Sequence, residues 1–281
     1  MTKENYRELK MKRLIFILGC LLFCTGALHA DSKTSGIAIQ KVYEDYPLEK
    51  ILSLAKQGDA NAQYDLSERY RYGIGGLQKN QPETIKWVKL AAAQHNSGAQ
   101  NSLGYYYGGG IGVQKSRKKA LSYFKLAADQ GHRIGIYNVG LYYMMGRGVK
   151  VNQQKAAKLF KKAVDLGYIP AKVRLGFAYD DGAGVKQDKR MAFKLYKEAA
   201  LLGEPNGQNN LAGLYYSGKG IPENYVLAMM WYNVSSMNGN RRATRGAHYN
   251  YLVNNMRGSD ITKAENLAVK CLKSHYKQCE E

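Results

Sequence analysis

The sequence predicts an all-α fold, an α/α superhelical solenoid of helix-turn-helix repeats with an N-terminal half-repeat and C-terminal capping helices. Three observations predict it. A pattern recurs about every 36 residues through most of the 281-residue chain. Within each copy the apolar residues keep spacings of three and four, one face of a helix. No stretch of alternating polarity long enough for a strand breaks them. A period of this size marks a solenoid, whose units bury their apolar faces only against neighbouring units.

The best-formed copy runs from 131 to 167. Its Val139, Gly140, Tyr143, Gly146, Gly148 and Val149 return 36 residues on as Leu175, Gly176, Tyr179, Gly182, Gly184 and Val185. Its Ala156, Phe160, Ala163 and Gly167 return as Ala192, Tyr196, Ala199 and Gly203. One step back stand Leu103, Gly104, Tyr107, Gly110 and Gly112; one step beyond Leu175 stand Leu211, Tyr215, Gly218 and Gly220. Each unit therefore reads as helix A, a Gly-x-Gly loop, helix B and a closing glycine. Glycine in mid-helix costs up to about 1 kcal/mol against alanine, so Gly104, Gly140 and Gly176 imply close approach of another helix. The recurring tyrosine at 70, 107, 143, 179 and 215 reads as core.

Taken in order, residues 1–30 read as a secretory signal peptide. Lys10, Lys12 and Arg13 precede an apolar run from Leu14 to Cys24, which is too short for a membrane span, and small residues lead to Ala30. Met11 is an alternative start. Cys20 as a lipidated residue is the disfavoured variant, because few apolar residues precede it. The implied destination is export, to the periplasm or beyond the cell. Residues 31–47 read as a linker and 48–57 as an N-terminal capping helix. Five units follow at 58–94, 95–130, 131–166, 167–202 and 203–239. Residues 240–281 form a C-terminal cap, with Ser259 and Asp260 opening its last helix.

The formal charge is +20. Removal of the leader takes away five basic and two acidic residues and leaves +17. Such a balance favours acidic partners or anionic surfaces. Cys271 and Cys279 remain after the leader. Eight residues apart on one helix they would stand about 12 Å from each other, beyond disulfide reach. A bridge needs the chain to turn back near Ser274 and His275; the alternative is two free thiols.

The columns Ala62-Gln63-Tyr64, Leu66, Tyr70, Gly73 and Gly75, with Lys119-Ala120, Tyr123-Phe124, Ala127-Ala128 and Gly131, resemble the Sel1-like repeat, a relative of the tetratricopeptide repeat. The resemblance covers residues 48 to 240. It implies a non-enzymatic scaffold for protein–protein contacts, in exported bacterial members at the envelope or the host interface. Members with a cysteine pair per repeat form a separate subgroup. By analogy with tetratricopeptide helices, the concave helix-A groove is lined by Tyr64, Asn101, Tyr137, Val173 and Asn209; by Glu68, Tyr105, Leu141, Phe177 and Gly213; and by Arg71, Met144, Asp180 and Tyr216. Tyrosine offers large contact area at low entropy cost, which suits a protein partner.

Other chemistry is thinly supported. Gly213-x-x-x-x-Gly218-Lys219 nearly spells a phosphate loop but has Gly220 where Ser or Thr would hold magnesium, and both later glycines are repeat glycines. Ser53-x-x-Lys56, Ser116-x-x-Lys119 and Ser274-x-x-Lys277 match the start of a penicillin-interacting enzyme, without its companion motifs. His95, His132, His248 and His275 share no metal spacing, and His95 and His132 read as surface residues. The expectation is a monomer with a protein partner, no cofactor, no metal and no nucleic acid. The alternative is binding of an anionic cell-wall polymer or lipid through helix-B lysines such as Lys118, Lys119, Lys155, Lys158, Lys161 and Lys162.

Overall fold

The computed structural model describes residues 46–280. The leader, Cys20 and most of the 31–47 linker lie outside the described residues. Among those described there are thirteen helices and no strand.

Helix α1 (Leu48–Lys56) opens the stack. The five A helices are α2 (Ala60–Tyr72), α4 (Ser97–Gly109), α6 (Arg133–Met145), α8 (Ile169–Asp181) and α10 (Pro205–Ser217). The five B helices are α3 (Gln81–Ala93), α5 (Arg117–Asp129), α7 (Gln153–Asp165), α9 (Lys189–Leu201) and α11 (Tyr225–Met237). All ten have 13 residues, so the repeat is one of length as well as of pattern. Helices α12 (Ala247–Asn255) and α13 (Gly258–Lys273) close the chain.

Local chemistry sets these bounds. Asn80, Ser116, Asn152, Asp188 and Asn224 each accept a backbone N–H as N-cap of a B helix, the role these side chains fill best. Each A helix ends on a left-handed glycine, Gly146 for α6. In the first unit His95, at φ 62°, closes helix B where the other units use glycine.

Small and large residues pair within each unit. A methyl at Gly104 would lie 2.5 Å from the Phe124 ring, one at Gly140 2.7 Å from Phe160, and one at Gly176 2.7 Å from Tyr196. The mid-helix glycines thus make room for an aromatic of their own unit's helix B. The equivalent pairs at the ends are Ser67 with Val88 and Ala212 with Tyr232, all buried.

The tyrosine column splits. Tyr143 and Tyr215 are buried, whereas Tyr70, Tyr107 and Tyr179 are half-buried. The deeper column lies one residue earlier, at Arg69, Tyr106, Tyr142, Ala178 and Leu214. Tyr107 stacks on Tyr123 at the edge of its own helix B. Tyr142 instead reaches back into the preceding unit, 5.2 Å from Phe124. A residue wedged between units loses more water contact than one on the rim of its own helix pair.

The C-terminal cap is tied twice. Beyond α13, His275 and Tyr276 both adopt positive φ, at 52° and 66°. The chain turns back there and Cys279 is bridged to Cys271. The turn delivers the Glu280 carboxylate to Tyr215 Oη at 3.0 Å, Trp231 Nε1 at 3.3 Å and Lys197 Nζ at 2.5 Å. Closing a loop of this length stabilises by about 2.5 kcal/mol in the chain-entropy account. Reductant is expected to lower the urea midpoint of the wild-type protein by that equivalent and to leave a Cys271→Ser/Cys279→Ser variant unmoved.

Candidate protein-binding surface

Successive A helices touch through side chains. The Tyr64 and Ser102 hydroxyls lie 3.4 Å apart, Asn138 Nδ2 donates to Asn101 Oδ1 at 2.9 Å, and Arg174 Nε donates to Tyr137 Oη at 3.4 Å. These contacts link each A helix to the next along the stack. They also show where Tyr64, Asn101 and Tyr137 direct their polar atoms, which is onto the next unit. A methyl at Gly98 would lie 2.7 Å from the Tyr64 ring, and the Tyr137 ring packs 5.0 Å from Tyr168 and 5.7 Å from Phe160. Val173 of the same column is buried. Asn209 is half-buried and hydrogen-bonds its neighbour Asn210 at 3.5 Å.

The column four residues on is more open. Tyr105 is 51% exposed and Phe177 41%. Leu141 and Glu68 are half-buried. In the next column Met144 and Asp180 are half-buried, Asp180 taking Lys189 Nζ at 2.6 Å. Tyr216 forms the floor of a ring cluster, 4.3 Å from His248 and 5.8 Å from both Tyr225 and Tyr251. Tyr72 and Met145, which the column analogy did not include, are also exposed on A helices.

Charge is segregated by face. Helices α5, α7 and α9 each carry four Lys or Arg against one Asp or Glu. Helices α4 and α10 carry no charge and α6 has Arg133 alone. The A helices α2 and α8 each carry two basic and two acidic residues, so the A side is close to neutral while the B helices α5, α7 and α9 are basic.

The residues of the weaker motifs have local uses. Ser116 Oγ caps α5 by accepting from Lys119 N at 3.3 Å. Ser53 Oγ accepts from Gln57, and Ser274 Oγ donates to the Cys271 carbonyl. Gly218 is the C-cap of α10. Among the described residues no group of three His, Cys, Asp or Glu is placed to hold a metal ion, and no helix is long and apolar enough to cross a membrane.

His132 departs from the surface reading. It is half-buried and caps α6, its Nδ1 accepting from Gly135 N at 3.1 Å. Burial, and then the neighbouring Arg133, push its pKa down to about 4. A buried amide column also went unread. Gln63, Gln100 and Gln208 donate to the carbonyls of Ala55, Ala92 and Ala200 and accept from Gln94, Gln130 and Asn238. The matched spacing of Gln63 with Gln94 and Gln100 with Gln130 was the available signal.

The model of the Sel1 repeat matches residues 60–96, 97–132, 134–168, 169–204 and 205–240. This chain belongs to the Sel1-repeat family. Four of the matched segments begin on the first residue of an A helix, and the third begins one residue into α6. Among solved structures the chain is similar to a Sel1 repeat protein from Oxalobacter formigenes, at 26% identity and a TM-score of 0.67 over 83% of this chain and 97% of that one. It is also similar to a protective antigen of uropathogenic Escherichia coli with an SLR fold, at 25% identity and a TM-score of 0.55 over 82% of this chain and 57% of that one. An immunity protein from Pseudomonas aeruginosa shares the fold at 20% identity and a TM-score of 0.51, over 76% of this chain and 83% of that one. A search of curated proteins found no match. Sel1-repeat proteins are in general protein-interaction scaffolds without catalytic activity, and protein is the general class of their partners.

Proposed function

We propose that the chain is a scaffold that holds a protein partner on its inner, helix-A face, in the bacterial envelope or at a host interface. The observation that carries the reading is the exposure of Tyr72, Tyr105 and Phe177 on A helices, whose neighbouring polar atoms are already bonded between units. Large rings in contact with water are what a binding face presents. The leader-like residues 1–30 support export, and loss of that segment from the exported protein is the corresponding check.

Tyr105→Ala combined with Phe177→Ala is expected to weaken capture of the partner from envelope or host-cell extract at least tenfold, with the thermal melt unchanged because both rings are surface groups. Undiminished capture would remove the helix-A face from the reading. A second reading rests on the basic outer face. There Lys118, Lys119, Lys155, Lys158, Lys161 and Lys162 are all exposed, and an anionic cell-wall polymer or lipid surface is the fitting partner. Exposed charges are screened by salt, so co-sedimentation with cell wall should fall steeply between 50 and about 300 mM salt.

A further inference from the structure

At its N-terminal end the helix-A face carries a guanidinium set among exposed rings. The Arg71 guanidinium lies 4.9 Å from the ring centroid of Tyr72, 5.4 Å from that of Tyr105 and 5.7 Å from that of Tyr106. Its Nη1 donates to Glu68 Oε2 over a long 3.5 Å, and its side chain is 29% exposed. A guanidinium has five N–H donors in a fixed fork, so most of the fork is not used by that bond. Beneath it, Glu68 Oε1 and the Tyr106 hydroxyl are buried without hydrogen-bond partners, and burial pushes the Glu68 carboxyl upward.

One unit along, the places of Arg71 and Tyr72 fall to Gly108 and Gly109, and one unit further to Met144 and Met145. The missing side chains leave a notch in this row of equivalent positions, in which Tyr72, Gly109 and Met145 are exposed. Arg71, Tyr72 and Tyr105 stand on one side and the two methionines on the other. The floor is built small, since a methyl at Gly108 would lie 2.5 Å from the Tyr142 hydroxyl oxygen.

We infer that this notch anchors an acidic peptide segment of the partner, one carboxylate on the Arg71 fork and an adjacent apolar side chain over Gly108 and Gly109. The inference rests on the inner-face reading above and adds the chemistry of the ligand. A carboxylate matches the planar fork of arginine in bidentate fashion. A basic side chain does not fit, because Arg71 already fills the cation position among the rings and would repel it. The rings and Glu68 hold the guanidinium in place, so little rotamer freedom is lost on binding. Methionine adapts to varied apolar side chains. The +20 chain steers an acidic partner inward from a distance.

The test is fluorescence anisotropy with three matched sets of labelled peptides, centred on Leu-Asp, Phe-Asp, Leu-Glu and Phe-Glu, on their Asn or Gln counterparts, and on their Lys counterparts. Each is titrated with the full chain, with Arg71→Gln, with Tyr105→Ala, with Gly109→Leu, which fills the notch, and with Lys118→Gln/Lys119→Gln/Lys125→Gln on the helix-B face. The acidic set is expected to bind at least tenfold tighter than the amide set. That preference should vanish in Arg71→Gln, affinity should fall in Gly109→Leu, and both should survive in the helix-B variant. If acidic and amide peptides bind alike and Tyr105→Ala weakens both, the inference falls and the inner-face reading stands. If the acidic preference is lost in the lysine variant instead, the attraction is diffuse and the inference falls. If no set responds to any inner-face substitution, both fall. Should Arg71→Gln not fold, the acid-against-amide comparison on wild type and Gly109→Leu still decide.

Discussion

Gly184→Ala is expected to cost the stack about 3–4 kcal/mol, against about 1 kcal/mol for Gly182→Ala two residues away. Both glycines have positive φ, 81° and 71°, and an alanine there bears the left-handed penalty of roughly 1–2 kcal/mol. What separates them is space. A methyl at Gly182 would meet its nearest neighbour, Gln187 Cβ, at 3.4 Å, an ordinary contact. One at Gly184 would meet the backbone carbon and oxygen of Gln153 at 2.2 Å. Gln153 opens α7, the B helix of the preceding unit. Main chain cannot swing aside as a side-chain tip can, so the two units must part or the loop must rebuild. Urea denaturation of the two single variants side by side provides the measurement. Equal costs would show that φ alone sets the demand for glycine in this loop.

The second large effect is a pH dependence centred on His132. The ring must be neutral to accept from Gly135 N. Protonation would also place a positive charge at the positive end of α6. With a folded-state pKa of about 4 and an unfolded value near 6.5, the unfolded chain takes the proton first as pH falls. Stability is thus complete above about pH 6.5, declines between about 6.5 and 4, and loses nothing further from this group below that. The whole decline is on the order of 3 kcal/mol. Asn96 serves as the same cap one unit earlier, accepting from Ala99 N, so His132→Asn should flatten that part of the pH–stability curve while keeping the helix start. Amide exchange at Gly135 and Ile136, compared between pH 7 and 4.5 in both proteins, would locate the effect.

These two cases mark what the sequence made legible. The period, the helix pairs and the loop glycines could be read directly, because a 36-residue repetition samples the same contact several times. The neighbour of each glycine could not. Gly140 reads as a close approach, but that Phe160 of its own unit fills the space is a matter of side-chain direction. The tyrosine column reads as core, but the more uniformly buried column lies one residue earlier; Tyr106 and Tyr107, or Tyr142 and Tyr143, are the same residue type and periodicity does not rank them. His132 breaks the pattern of Asp59 and Asn96 as caps, and a single departure from a column carries no signal of burial. The groove suffered a similar limit. Tyr64, Tyr105 and Tyr137 look alike in sequence, yet the first and third pack and hydrogen-bond across units while Tyr105 faces water. Such differences are set by the superhelical twist, which one chain's periodicity does not contain.

The pairing of a small residue on helix A with a larger one on helix B of the same unit has a further consequence. Ser67 with Val88, Gly104 with Phe124 and Ala212 with Tyr232 are different solutions of one volume constraint. Each solution is complete inside about 36 consecutive residues. A genetic duplication or deletion of that length carries both halves of the fit together, whereas an exchange of one helix alone would join a large residue to a large one. The array can therefore change its length by whole units more readily than it can shuffle single helices, and the reach of its inner face can grow by the same step.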